Sequence, residues 1–424
     1  MLDIRKAIFG GFVRDTFAVA TGDYFAYGVM FVLTVLVSRT FGASELGRFS
    51  LGFAISSILI LSTNNGFSAI LKRDVAVDRS RAPEYTGTFW ALRILILAVL
   101  GLFVVLGTSL AAHRDQRTAL VVAIVYVAKS IDSLGEICFG VYQACDRMVF
   151  YSVARIAQFG TLLVGCSAAL FYFRSANLFY WVFVMVSTAF LLANGAFIWK
   201  GLGIVPRFNW HLLSYAFRES WPLIVNAFAY VAYARIGILV VGYLLGVEAT
   251  GIYSAGVNVL SGLAVLPAAC GVVLFPRMSR AFENNDPRLL MMIRKTMLLL
   301  ASAGVLVTCI LVFGAPWVVR LYGKLPLNAV GMMRLLALGL VPQFAAPVVG
   351  YAFTAIRRQT DGMLFASGML AVSAILYFLF TNIAGRNGAA LAYAMSQLLW
   401  TLGAYFFINY RLTASSPSLT GATC

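Results

Sequence analysis

The chain has 424 residues, 61% of them apolar and 11% charged, with a mean hydropathy of +0.88 and a net charge of +16. A soluble domain carries roughly 25% charged residues, so this chain cannot cover a water-facing surface; a soluble enzyme, a DNA-binding protein and a secreted disulfide scaffold are excluded. The surplus of 32 Lys and Arg over 16 Asp and Glu has no polar domain on which to form a nucleic-acid patch, so it reflects topology or an anionic ligand.

Runs of about 20 apolar residues cross ~30 Å of hydrocarbon as helices. They are predicted at 16–38, 49–71, 88–110, 118–140, 152–173, 178–199, 220–242, 251–275, 296–318, 331–356, 362–382 and 389–409. The ~10-residue alternation of a membrane β-barrel is missing from the sequence, so an all-α polytopic membrane protein with about 12 transmembrane helices is expected. Residues 1–15 lack the long apolar core and cleavage site of a removable signal peptide and read as an interfacial segment. Residues 200–219, with Trp210 and His211 among apolar neighbours, read as an amphipathic connector between lobes 16–199 and 220–410; residues 411–424 form a tail. Of the basic residues, 19 fall on the side of the termini, 8 on the other side and 5 inside the spans. Cytoplasmic loops retain Lys and Arg, so both termini are predicted to be cytoplasmic.

Residues 41–52, FGASELGRFSLG, align without a gap with residues 245–256, LGVEATGIYSAG. Gly42, Gly47, Ser50 and Gly52 recur as Gly246, Gly251, Ser254 and Gly256, and each stretch reads as the short loop after the first helix of its half. A repeat after six helices makes two parallel lobes, a layout of transporters, with a central cavity expected between them.

His113 and His211 lie far apart in this layout, and no metal-ligand spacing or catalytic carboxylate pair occurs, so no metal and no cofactor are expected. The six cysteines, Cys138, Cys145, Cys166, Cys270, Cys309 and Cys424, read as unpaired packing residues. Charges inside the spans carry the information, because each costs roughly 2.5–3.5 kcal/mol unless it meets protein or water. Arg235 in the seventh span has no carboxylate within reach on its own helix; anion binding, an ion pair with another helix and snorkelling are the open readings. Lys129, Asp132 and Glu136 share one stripe of the fourth span, arranged for mutual pairing or, at the acids, for a coupling ion or proton. Asp23, beside Tyr24 and Tyr27, is a further coupling candidate. Arg93, Arg155 and Arg334 lie near span ends, where snorkelling accounts for them. Neutral polar groups cluster at Ser62, Thr63, Asn64, Asn65 and Ser68, and at Asn226, Tyr230 and Tyr233. Arg235 falls on the face opposite Asn226, so both cannot line one cavity. Pro267, Pro342 and Pro347 are hinge candidates in the second half.

The stretches RTFGASELGRFSLGF, NNGFSAILKRDVA, ESWPLIVNAFAYVAYARIGILVVGYLLGVEATGIYSAG and LPAACGVVLFPRMSRAF, with GAPWVVRLYG and ALGLVPQF, are present in this order. Together they resemble the polysaccharide transporter family, the Wzx-type flippases of the multidrug/oligosaccharidyl-lipid/polysaccharide superfamily. The resemblance implies a MATE/MOP-like fold and translocation of an undecaprenyl-pyrophosphate-linked oligosaccharide across the bacterial inner membrane by alternating access, for O-antigen, capsule or exopolysaccharide export. Arg235, aided by Lys129 or Arg93, would then hold the pyrophosphate or an acidic sugar, with Asn226, Tyr230 and Asn65 as further contacts. Membrane lipids, a polysaccharide polymerase and a co-polymerase are the partners implied, and a monomer is expected. Family members often place an acid two residues after an Arg in helix seven; here that position is Gly237. The competing readings are a drug or metabolite antiporter of the same superfamily and a membrane polymerase or glycosyltransferase, the latter opposed by the shortness of every outer loop.

Overall fold

The computed structural model describes the backbone of residues 2–112 and 115–414, and their side chains except those of 2–13, 15, 16, 62, 63, 65, 110–112, 222, 272 and 414. The side chain of Asn65, His113, and residues 415–424 with Cys424 therefore lie outside the described residues. Among the described residues all regular structure is helical: α1 Leu2–Phe41, α2 Ala43–Val77, α3 Ala82–Ala112, α4 Gln116–Ala144, α5 Met148–Phe171, α6 Ala176–Ala196, α7 Trp210–Leu263, α8 Val265–Glu283, α9 Leu289–Leu321, α10 Ala329–Ala337, α11 Leu340–Ala355 and α12 Gln359–Ala414. Side-chain oxygens cap several starts. Asp115 accepts from the Thr118 amide at 3.0 Å, Ser175 from Leu178 at 3.2 Å, and Asn209 from His211 at 2.9 Å, each satisfying an amide that the first turn leaves open.

Among the described residues, ten helical stretches are long and apolar enough to cross a membrane. Two of them, Leu223–Glu283 and Gln359–Thr413, have 61 and 55 residues, about 80–90 Å at 1.5 Å per residue against ~30 Å of hydrocarbon. Each is broken inside, at Gly246 and at Ala384–Gly385. These breaks fall in the gaps that the sequence leaves between 242 and 251 and between 382 and 389.

The repeat has a backbone signature. Gly42 stands alone between α1 and α2 with φ 90° and ψ −174°, and Gly246 interrupts α7 with φ 83° and ψ −178°. This region is open essentially only to glycine. The expected loops are therefore single-residue joints, conformationally the same in both halves.

Three other expectations change. Residues 2–15 continue α1 without interruption, so the interfacial segment is no separate element. The connector is not one helix: a π-helical turn, Phe197–Gly201, leads into an irregular strap, and α7 already starts at Trp210. The strap is tied across α3, where the Arg207 amide donates to the Pro83 carbonyl at 2.8 Å and Asn209 donates to Thr88 and Glu84. Gly87 permits this crossing, since a Cβ there would lie 2.4 Å from the Arg207 carbonyl oxygen. Finally, the span expected at 331–356 is divided at Leu338–Gly339 into α10 and α11, and α8 starts after a turn at Ala264. A proline ring displaces the carbonyl four residues earlier; Pro342 and Pro267 oppose Leu338 and Leu263 in this way. Pro347 lies inside α11, and Pro276 and Pro316 lie inside α8 and α9, two interior prolines that the sequence reading passed over.

The chain forms two compact units, Met1–Arg235 and Ile236–Cys424. The division falls within α7 because the start of that helix packs on α2: a Cβ on Gly66 would lie 2.8 Å from Ile224 and 3.1 Å from the Ser220 carbonyl oxygen. In the first unit α4 is central, touching α2, α3, α5 and α6. In the second, α11 is central, touching α8, α9 and α12. Cys138 and Cys166 are buried and unpaired, as the packing reading expects, whereas Cys270 and Cys309 are exposed.

Candidate functional site

The charges of the first unit converge on α4. Lys129 pairs with Asp132 one turn away at 3.1 Å. The other oxygen of Asp132 accepts from Gln158 on α5 at 3.1 Å and from Ser187 on α6 at 2.5 Å. Glu136 faces α5 instead, where Arg155 donates to it at 2.5 Å. Arg155 also lies 3.5 Å from Asp23 on α1, which accepts the Tyr151 hydroxyl at 2.6 Å. Arg155 thus does not snorkel; it joins α1, α4 and α5, with the Phe139 and Phe159 rings against its guanidinium. Arg93, likewise expected near an interface, is 1% exposed. It donates to Ser133 at 2.8 Å, which donates to Asn64 at 2.7 Å, and it lies over the Phe67 ring.

Lys129 and Arg155 hold Asp132, Glu136 and Asp23, Lys72 on α2 lies in the field of Glu136 and Asp23, and Arg93 is held by Ser133 and Phe67. Among the described residues no carboxylate lies within ion-pair distance of Arg235; its guanidinium sits 5.3 Å from the centre of the Phe53 ring on α2. Lys129 approaches the same ring at 4.9 Å. An aromatic face attracts cations without neutralising them, so Phe53 gathers two positive groups, of which one keeps its full charge. Asn226 and Tyr230 lie on a different, exposed face of α7. The structure therefore groups Arg235 with Lys129 on Phe53 and places Asn226 and Tyr230 on another face of α7.

Position 237 explains why Arg235 has no acid two residues further along its helix. A Cβ on Gly237 would lie 2.6 Å from the Tyr253 hydroxyl and 2.7 Å from the Tyr377 ring, and these buried hydroxyls bond each other at 2.9 Å. No side chain fits there without displacing the tyrosine pair.

Two further polar clusters close the ends of the first unit. At one end buried Glu45 receives Arg48 at 3.0 Å, Arg117 at 3.1 Å and the Tyr180 hydroxyl at 2.9 Å. Asp115 lies 3.5 Å from Arg48; burial raises its carboxyl, but its bonds from Thr118 and Arg48 outweigh this and hold it below the usual carboxylate range. A cleft of about 560 Å³ opens here, lined by Thr108, Ser109, Gln116, Arg117 and Asn177; its cation is already taken by Glu45. At the other end Asp74 accepts from Arg73 at 2.7 Å, Tyr85 at 2.8 Å and Tyr215 at 3.2 Å, fastening α2 to α3 and α7. Burial opposes ionisation of Asp74, yet these donors bring its carboxyl below the usual range.

Gln158, Ser187, Ser133, Tyr151 and Phe53 were not singled out from the sequence. Neutral or aromatic and surrounded by similar residues, they become conspicuous only through the charge each one faces.

The model of the polysaccharide biosynthesis protein family matches residues 12–282. A protein of Escherichia coli (strain K12) whose name assigns it to O-antigen transport is 20% identical over 392 residues, covering 88% of this chain and 90% of that one. Among solved structures, the inward-facing conformation of a multidrug resistance MATE transporter of the MOP superfamily superposes with a TM-score of 0.73 at 13% identity, covering 93% of this chain and 96% of the other. The lipid II flippase MurJ in an inward closed conformation superposes with a TM-score of 0.71 at 14% identity, covering 92% and 87%. The fold is that of the MOP transporters, and the chain, a multi-pass membrane protein, belongs to the polysaccharide biosynthesis protein family.

Proposed function

We propose that the protein carries an undecaprenyl-pyrophosphate-linked oligosaccharide across the bacterial inner membrane by alternating access, for export of a surface polysaccharide. It does so with twelve spans and both termini in the cytoplasm: the breaks at Gly246 and at Ala384–Gly385 divide each overlong helix into two crossings. The observation that carries the reading is Arg235, a cation with no carboxylate within ion-pair distance among the described residues, beside Lys129 on the Phe53 ring. A guanidinium takes a phosphate through paired donors, and a pyrophosphate is the part of such a substrate common to every glycan. The family and the relative named for O-antigen transport support the polysaccharide substrate. An antiporter for cationic drugs is disfavoured by the same positive charge, since the MATE likeness at 13% identity speaks for the fold alone.

The test is flipping of an undecaprenyl-pyrophosphate-linked oligosaccharide in proteoliposomes. Loss of a charged hydrogen bond, about 1.5–3 kcal/mol, predicts that Arg235→Ala slows flipping by roughly 10- to 100-fold while thermal unfolding stays unchanged. Unchanged flipping in Arg235→Ala removes the assignment of Arg235; absence of flipping by the wild type removes the function.

A further inference from the structure

We infer that the hairpin between α8 and α9 is a binding site for anionic phospholipid, held at its head by Arg288, Arg294 and Lys295. This rests on the second unit alone and is independent of the transported substrate.

One face of α9 is exposed along its whole length. From Leu298 and Leu299 through Val305, Leu306 and Ile310 to Phe313, its side chains are 49–81% exposed. At 100° per residue these positions form a single stripe, and an apolar stripe of this length in a membrane protein faces acyl chains. Followed toward the start of α9, the same face continues through exposed Lys295, Arg294, Met291 and Arg288. The apolar stripe thus ends in three cations within two turns. Exposed Arg277 and Arg280 add to them from the last turns of α8.

The acids of the hairpin leave these cations open. Glu283 is taken by Arg357 at 2.6 Å, and Asp286 accepts from the backbone amide of Arg288 at 2.8 Å. Among the described residues none of Arg288, Arg294 and Lys295 makes an ion pair. The corresponding end of the first unit differs: Arg73 is paired with Asp74 and Arg79 with Asp146. A soluble polyanion would satisfy the cations and leave the adjoining stripe uncovered, and a neutral lipid would do the reverse. A lipid with acyl chains and a net negative head satisfies both, because basic residues beside an apolar surface add their attraction to an anionic headgroup.

The test uses the full chain in detergent, with lipid adducts counted by native mass spectrometry after adding phosphatidylglycerol or phosphatidylcholine with identical acyl chains. The wild type is expected to retain phosphatidylglycerol, and the R288Q/R294Q/K295Q variant to lose at least roughly tenfold in retention, with phosphatidylcholine weakly held by both. The R288K/R294K variant, which keeps the charge, retains wild-type binding. Equal retention of phosphatidylglycerol by the triple variant, equal retention of the two lipids by the wild type, or loss of binding in the lysine variant would overturn the inference.

Discussion

The central helices of the two units solve one problem in opposite ways. Both α4 and α11 are surrounded by other helices. On α4 the polar contacts are ionic, with Lys129, Asp132 and Glu136 drawing partners from α1, α5 and α6. On α10 and α11 they are neutral, and two of them end on backbone carbonyls of these helices. Thr308 donates to the Ala337 carbonyl at 3.1 Å and Thr401 to the Pro342 carbonyl at 2.9 Å, while Tyr393 donates to Gln343 at 3.0 Å. A helix that keeps its ladder intact needs side-chain charges to make a polar interior; a broken one supplies carbonyls of its own. The ion pairs found in the second unit, Arg357 with Glu283 and Arg411 with Asp361, join helix ends.

The strongest way to break this contrast is Arg155→Leu, which strands Glu136 and Asp23 among helices. The acids of this pair keep about a third of their surface exposed, so removing Arg155 costs less than the 3–5 kcal/mol of a fully buried pair, about 2 kcal/mol, whereas Thr308→Val in the second unit removes one neutral bond, about 1 kcal/mol. Thermal unfolding of both variants in detergent should show a larger loss for Arg155→Leu; equal losses would erase the distinction. Next come the joints, where the units should behave alike. Gly42→Ala and Gly246→Ala each force an L-residue into a glycine-only conformation at about 1–3 kcal/mol, and a loss confined to one of them would show that the repeat is not equivalent. The smallest effect concerns Asp74. Its folded carboxyl lies below the unfolded value, so its stabilisation is fully present above about pH 4 and is lost as pH falls through the folded value. The protection factors of residues 210–222, corrected for the intrinsic exchange rate at each pH, should therefore fall at acid pH by no more than the equivalent of about 1 kcal/mol, and Asp74→Asn should abolish that step. An unaltered step in Asp74→Asn would place the responsible group elsewhere.

Helix-forming stretches and the repeat were legible because they rest on local properties, apolar run length and the recurrence of Gly42 at Gly246. The partners around α4 were not. Spacing shows that Lys129, Asp132 and Glu136 share a face, but not that Glu136 looks toward α5 and Asp132 toward α6; that depends on which helix packs on which side. Arg93 and Arg155 illustrate the limit most clearly, since a cation near a span end reads as snorkelling until Ser133, Glu136 and Asp23 are seen beside it. Arg235 was recognised as unusual from the sequence, whereas the reason it has no acid two residues further along its helix, the tyrosine pair filling the space at Gly237, required packing.

The single-glycine joints also determine where the chain will accept foreign sequence. Gly42 is bonded through its amide to Ser38 and through its carbonyl to Leu46, so this change of direction has no slack, and an epitope tag or reporter inserted there would tear both flanking helices. Topology reporters belong in the turns at 172–175 and 284–288, where the backbone already leaves the helix.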